Sequence, residues 1–195
     1  MTLIPAFEIG VWNAWIIMLL MLLSYIPGQL INKEALNKVN EGWASEQWPR
    51  IDRFLANSTH VMIIPLTIIY SVFLPLKLGT VWLYIGLPFC FIGLIMNLIA
   101  GINIATTLLD KEPITKGVYR FSRHPAYFGG FLLYLGIGIA SASWVFILLA
   151  LAWIIIWCIV VPSEERFLLE KYGDAYREYM NKTPRWLGLP KLSNS

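Results

Sequence analysis

The chain has 195 residues, of which 57% are hydrophobic and only 14% are charged, with a formal net charge of +3 at neutral pH. Soluble domains are about 45–50% apolar and about 25% charged, so this composition excludes an ordinary water-soluble core, and the small positive charge makes no case for nucleic acid. The apolar residues fall in continuous runs rather than alternating ones, which excludes a β-barrel and points to spanning helices that satisfy their own backbone hydrogen bonds.

Five spans are expected in chain order: residues 11–31, 59–76, 81–102, 127–140 and 144–161. The fourth falls short of the roughly 20 residues a span needs, so its start is expected to reach back into the Arg-His-Pro-Ala-Tyr stretch. Only Ser141, Ala142 and Ser143 separate the last two, which predicts a tight antiparallel hairpin. Trp12, Trp15, Trp82, Tyr84 and Trp144 stand near span ends, as an interfacial aromatic belt requires. Pro65, Pro75 and Pro88 fall within or near the second and third spans, as ordinary membrane-helix prolines or as kinks that open a cavity. Gly129, Gly130, Gly136 and Gly138 suit a close helix-packing face. Cys90 and Cys158 are expected to be small core residues. With His60 and His124 the only histidines, no metal-ligand spacing occurs, and the first apolar run lacks the basic start and small-residue site of a cleavable signal.

Orientation follows from the basic loops. Lys33, Lys38, Arg50 and Arg53 precede the second span, and Lys111, Lys116, Arg120 and Arg123 precede the fourth. Arg166, Lys171, Arg177, Lys182, Arg185 and Lys191 follow the fifth. With five spans all three clusters fall on one side, which the positive-inside rule makes cytoplasmic. The expectation is an all-α polytopic protein of the cell membrane, N-terminus outside and C-terminus cytoplasmic. Residues 1–102 would form three N-terminal helices and residues 103–195 a core within one membrane domain.

The polar residues gather in two stretches, 110–130 and 162–186, one before the fourth span and one after the fifth. A hairpin brings both to the same membrane face. In the first, Pro113, Gly117 and Pro125 prevent a continuous helix, and Arg123 and His124 stand at the mouth of the fourth span. They would either meet headgroups and cap backbone, or contact a polar ligand. In the second, Ser163 suits a helix N-cap with Glu164 and Glu165 in the first turn. Glu165, Leu168, Leu169, Tyr172, Tyr176 and Tyr179 then share one face. This is either an amphipathic helix lying on the membrane or a lid over the first stretch.

Residues 117–130, GVYRFSRHPAYFGG, and 163–179, SEERFLLEKYGDAYREY, with Pro184-Arg185 following, resemble the isoprenylcysteine carboxyl methyltransferases and the related membrane phospholipid methyltransferases. The resemblance implies S-adenosylmethionine as methyl donor and S-adenosylhomocysteine as product. It implies that Lys111, Glu112, Pro113 and Ile114 contact the cofactor through their backbone. Tyr119 stands at the Gly-Val-Tyr tyrosine, His124, Pro125, Ala126 and Tyr127 at the His-Pro-x-Tyr cofactor segment, and Glu164 at the carboxylate that meets the cofactor. Glu165 is the candidate base, required only if the acceptor is an amine. Val160 stands where eukaryotic members carry an arginine associated with the substrate, and the chain has fewer spans than they do. The acceptor implied is a lipophilic small molecule or prenylated substrate drawn from the membrane lipid, with the carboxylate of an isoprenylcysteine-like compound foremost. Two other readings are an NADPH-dependent reductase, since sterol reductases share a hairpin with the Arg-His-Pro motif, and a non-catalytic membrane scaffold.

Overall fold

The structure, a computed structural model, describes residues 8–43, 48–107 and 111–190, with the side chains of residues 40–43 not included. Asp110, which opens the first polar stretch, and Lys191 of the basic tail lie outside the described residues. Every regular element among those residues is helical. The elements are α1 (Trp15–Ser24), α2 (Ile26–Trp43), α3 (Arg50–Ser58), α4 (Ile64–Val72), α5 (Val81–Ala105), α6 (Pro125–Ala140), α7 (Trp144–Tyr172) and α8 (Asp174–Lys182).

Among the described residues, three continuous helices are long and apolar enough to cross a membrane: residues 50–72, 81–105 and 144–172. The first expected span is not one rod. α1 and α2 meet at a 49° bend, beside Pro27, whose ring cannot sit against the preceding turn. Within α2, Asn32 leaves helical geometry, and its side-chain oxygen accepts from the Ala35 amide, restarting the helix. α6 has 16 residues, a length of about 24 Å against a hydrocarbon core of about 30 Å. It begins at Pro125, inside the Arg-His-Pro stretch as expected. The second span also differs from its expected limits, running from Arg50 through a π-helical turn at Thr59–Ile63 into α4. Pro65 brings no amide and its ring crowds the carbonyl four residues back, and the wider turn accommodates both.

The last long helix overturns the N-cap assigned to Ser163. α7 continues through Pro162 to Tyr172, so Ser163 lies inside it, donating to Asp52 of α3 and accepting from Arg166 at 2.8 Å. Its continuous apolar run ends near Val161, and charged residues follow from Glu164. Cys158 also departs from expectation. It is exposed on the outer face of α7, whereas Cys90 is buried as anticipated.

α5, α6 and α7 pack through glycine. A Cβ on Gly93 would sit 2.6 Å from the Gly129 carbonyl oxygen, and one on Gly136 would sit 2.7 Å from the Cys90 amide. Gly130 and Gly138 turn the other way, against Trp153 and Ile147 of α7. The expected packing face is therefore two faces, and α6 is held closely on both sides. At the opposite end from the polar stretches, Trp12, Trp82 and Trp144 are exposed near the starts of α1, α5 and α7, where an interfacial girdle belongs.

Candidate active site

The two polar stretches fold onto each other where α6 and α7 emerge from the apolar layer. The Arg123 amide donates to the Pro184 carbonyl at 3.0 Å, and the Gly188 amide to the Phe121 carbonyl at 3.0 Å. The Tyr179 hydroxyl donates to the Tyr119 carbonyl at 2.7 Å. These bonds satisfy backbone groups that an irregular stretch would otherwise leave without partners.

Glu165 is the electrostatic centre of the clasp. Its side chain is 3% exposed and lies 2.8 Å from Arg123 Nη2, 2.6 Å from Arg185 Nη2 and 3.3 Å from His124 Nε2. Arg123 also donates from Nη1 to the carbonyls of Met180 and Thr183, at 2.9 and 3.1 Å. One carboxylate thus ties α7, the entry to α6 and the segment after α8 together. Burial by itself raises the Glu165 pKa. The hydrogen bonds from His124 and Arg185 and the positive charge of Arg123 outweigh it and hold it at about 2. A carboxylate held there is ionised, and its contacts with Arg123, Arg185 and His124 give Glu165 an anchoring place in the clasp. Arg123 does not reach toward headgroups, and His124 makes no side-chain cap.

Glu164, its neighbour, points elsewhere. Tyr127 donates to Glu164 Oε2 at 2.9 Å, and His124 Nδ1 lies 3.6 Å from the same oxygen. The His124 ring therefore stands between the two carboxylates. It stacks on Tyr127 at a centroid distance of 5.7 Å, and Tyr127 stacks on Trp157 at 3.7 Å. Trp153 Nε1 donates to the Tyr127 carbonyl at 2.8 Å, fixing the first turn of α6 to α7.

Beside this cluster lies a cavity of about 390 Å³, within the usual range for small-molecule sites. The polar stretch lines it with Pro113, Ile114, Tyr119, Arg123, His124, Pro125, Ala126 and Tyr127, and α7 adds Glu164, Phe167 and Leu168. All of these but Phe167 were singled out in the sequence, and the structure brings them to one space. Lys111 and Glu112 are exposed outside it, with Glu112 paired to Lys116 at 3.7 Å. Tyr176 and Tyr179 close one side. The aromatic stripe of the second stretch therefore folds inward as a lid, with Leu168, Leu169 and Tyr172 packed against the buried cluster that holds Tyr119, Tyr176 and Tyr179. Burial, followed by the charge of Glu164, pushes the Tyr119 hydroxyl far above its usual range, so it stays protonated.

The lid depends on a break at Gly173, where φ is +56° and ψ −126°, between α7 and α8. A Cβ there would touch nothing within 4 Å, so any cost of Gly173→Ala is backbone strain alone. That strain is of order 1–3 kcal/mol. A thermal melt of the detergent-solubilised variant is expected to shift down accordingly.

Sequence reasoning passed over the opposite wall. Met21, Leu22, Tyr25 and Gln29 of the bent α1–α2 pair, with Trp48, His60 and Ile64, face the same cavity. Nothing in their spacing marks them, because the bend and the π turn that aim them inward are tertiary features. Arg185 was visible as one of the tail's basic residues and as part of a Pro-Arg pair, neither of which marks it as a partner of Glu165.

A model of the phospholipid methyltransferase family matches residues 77–175. Two curated relatives are each a "Protein-S-isoprenylcysteine O-methyltransferase". The one from Schizosaccharomyces pombe is 32% identical over 86 residues, covering 43% of this chain and 35% of the relative. The one from Dictyostelium discoideum is 29% identical over 94 residues, with the same coverage. The "Cobalt-zinc-cadmium resistance protein CzcN" of Cupriavidus metallidurans is 36% identical over 81 residues, covering 41% of this chain and 36% of that protein. The chain spans about a third of the length of the curated relatives it matches.

Proposed function

The chain belongs to the phospholipid methyltransferase family, and from that premise we propose that it is an S-adenosylmethionine-dependent membrane methyltransferase whose acceptor is a lipophilic carboxylate of the isoprenylcysteine kind. The observation that carries this reading is the cavity. It joins His124, Tyr127 and Glu164 to an apolar wall of membrane helices, so one space offers both a polar and a lipophilic reactant a place.

The residues present suit the donor. Glu164 offers a carboxylate to its ammonium or ribose hydroxyls, and Tyr119 and Tyr127 offer aromatic and apolar surface to its base. Pro113 to Tyr119 border the cavity as irregular backbone. When bound, S-adenosylmethionine supplies a methyl group on a positively charged sulfur that leaves readily. The chain's own task is then alignment, and holding reactants in line can supply roughly 7–11 kcal/mol of a barrier. The inward lid of Tyr176 and Tyr179 excludes water, and a dehydrated anion attacks more readily.

The state of Glu165 favours a carboxylate acceptor over an amine. A carboxylate near its reference pKa of about 4 is already ionised at neutral pH and needs no base, whereas an amine must lose a proton. In this reading the face that carries the basic clusters is the cytoplasmic one, as the positive-inside rule favours, with the bent α1–α2 pair and the short α6 each taken as one of five membrane passages. In this arrangement residues 103–195 hold the donor, which arrives from water, and the acceptor enters sideways from lipid.

Calorimetry tests the assignment. Wild-type protein in detergent is expected to bind S-adenosylhomocysteine and not NADPH. His124→Ala and Glu164→Ala are each expected to weaken that binding at least about tenfold, since each leaves a buried polar partner unsatisfied. Binding of NADPH alone would favour a reductase, and wild-type affinity in both variants would remove these residues from the donor site.

A further inference from the structure

The cavity wall carries one charge that the clasp does not use. Four charged side chains line the cavity: Lys38, Arg123, Glu164 and Lys171. Arg123 is taken by Glu165, and Lys38 is paired with Glu34 at 3.4 Å. Lys171 belongs to no ion pair among the described residues, and its ammonium rests over the ring of Tyr172, 5.0 Å from the centroid. α7 presents Glu164, Leu168, Lys171 and Tyr172 to the cavity, at the i, i+4, i+7 and i+8 spacing of a single helix face. Seven residues make almost two turns and rise about 10 Å, so Lys171 stands nearly in line with Glu164 along the helix. Helix side chains lean toward the N-terminus, which tilts the lysine back toward the carboxylate. The two are not paired with each other. Glu164 instead accepts from Tyr127 and lies 3.6 Å from His124. Opposite charges held apart on one wall of a cavity suit a ligand that carries both signs close together.

We infer that Lys171 is a specificity-determining residue of the donor site, taking the α-carboxylate of the donor's amino-acid end while Glu164 takes its ammonium. This rests on the methyltransferase reading and goes beyond it by fixing which end of the donor lies along α7. The same lysine chemistry would also receive a carboxylate from the acceptor. Two arguments favour the donor. A zwitterion uses both charges of the stripe, whereas an acceptor carboxylate uses one. A carboxylate paired with an ammonium is also a blunted nucleophile, and the donor's carboxylate takes no part in the transfer. The Tyr172 ring restrains the ammonium before any ligand arrives, so less side-chain freedom is lost on binding.

The test is equilibrium binding of three nucleosides to the full-length protein in detergent. S-adenosylhomocysteine carries both charged groups, its decarboxylated form keeps only the ammonium, and methylthioadenosine has neither. Wild type is expected to bind them in that order, the carboxylate adding about tenfold, as a charge-assisted hydrogen bond allows. Lys171 is exposed, so its replacement spares the fold. Lys171→Met is expected to abolish that tenfold step while holding the decarboxylated form within about twofold of wild type, and Lys171→Arg to retain most of the step. Glu164→Gln is expected to abolish the other step, between the decarboxylated form and methylthioadenosine. A Lys171→Met variant that keeps the carboxylate step, or that loses all three nucleosides alike, overturns the assignment. So does a Lys171→Met variant that loses N-acetyl-S-farnesylcysteine with the nucleoside step intact, which would give the lysine to the acceptor. Wild type that binds all three nucleosides equally overturns it while leaving the methyltransferase reading standing. Wild type that binds none of them removes that reading itself.

Discussion

Glu165→Gln is expected to be the most damaging single change in the clasp, lowering stability by about 3–5 kcal/mol. The cost is that of leaving buried charge without a partner. Arg123 is 9% exposed and would lose its counter-charge, although it would keep the carbonyls of Met180 and Thr183. Glutamine cannot replace a carboxylate shared by two guanidiniums and an imidazole. Arg185→Ala is expected to cost far less, roughly 1 kcal/mol, because Arg185 is 40% exposed and water can serve both partners. Thermal melts in detergent rank the two, and the reverse order would reject the anchoring place given to Glu165. The same group sets an acid limit. Its folded pKa of about 2 lies below the usual 4.5, so its stabilisation is fully present above pH 4.5. It is lost as pH falls toward 2, where the folded state also takes up the proton. Wild type is expected to lose thermal stability progressively through that window, and Glu165→Gln to show less of that dependence.

A second large effect is expected in the α5–α6 seam. A Cβ on Gly93 would stand 2.6 Å from the Gly129 carbonyl oxygen and 2.9 Å from the Leu133 amide nitrogen. Both are backbone atoms of a neighbouring helix, so no side-chain rotation relieves the clash. Gly93→Ala is expected to cost about 1–3 kcal/mol, and Gly93→Leu to leave little protein eluting as a single species in detergent. Gly101, eight residues on in the same helix, is the control. A Cβ there meets nothing within 4 Å, so Gly101→Ala is expected to be neutral or to stabilise by up to about 1 kcal/mol through helix propensity. If the two alanine variants behaved alike, close backbone approach would not be what holds α5 to α6.

The parts of this molecule that follow from local chemistry were legible in the sequence. Apolar run length placed α5 and α7, the three-residue turn at Ser141–Ser143 paired α6 with α7, and hairpin topology alone brought Arg123-His124 to Glu164-Glu165. The glycine pattern marked the packing faces of α6, though not that they are two. What failed depended on geometry at a distance. Pro162 was read as a boundary, yet α7 runs through it, with Ser163 donating to Asp52 of another helix and accepting from Arg166. Cys158 was placed in the core because its neighbours are apolar, but hydropathy does not separate a lipid-facing position from a buried one. The bend between α1 and α2 and the π turn at His60 leave no periodic trace, and with them one side of the cavity wall was hidden.

The clasp also bears on how the protein is made. Residues 179–188 leave the ribosome only after α6 and α7 are already available for insertion, and they supply Arg185 and the carbonyls that receive Arg123. Until then the nascent hairpin offers Glu165 only Arg123 and His124 of these partners. Release of a finished pocket is therefore set by completion of the tail rather than by membrane entry, and a translational arrest just short of residue 185 would leave an inserted but unlatched chain.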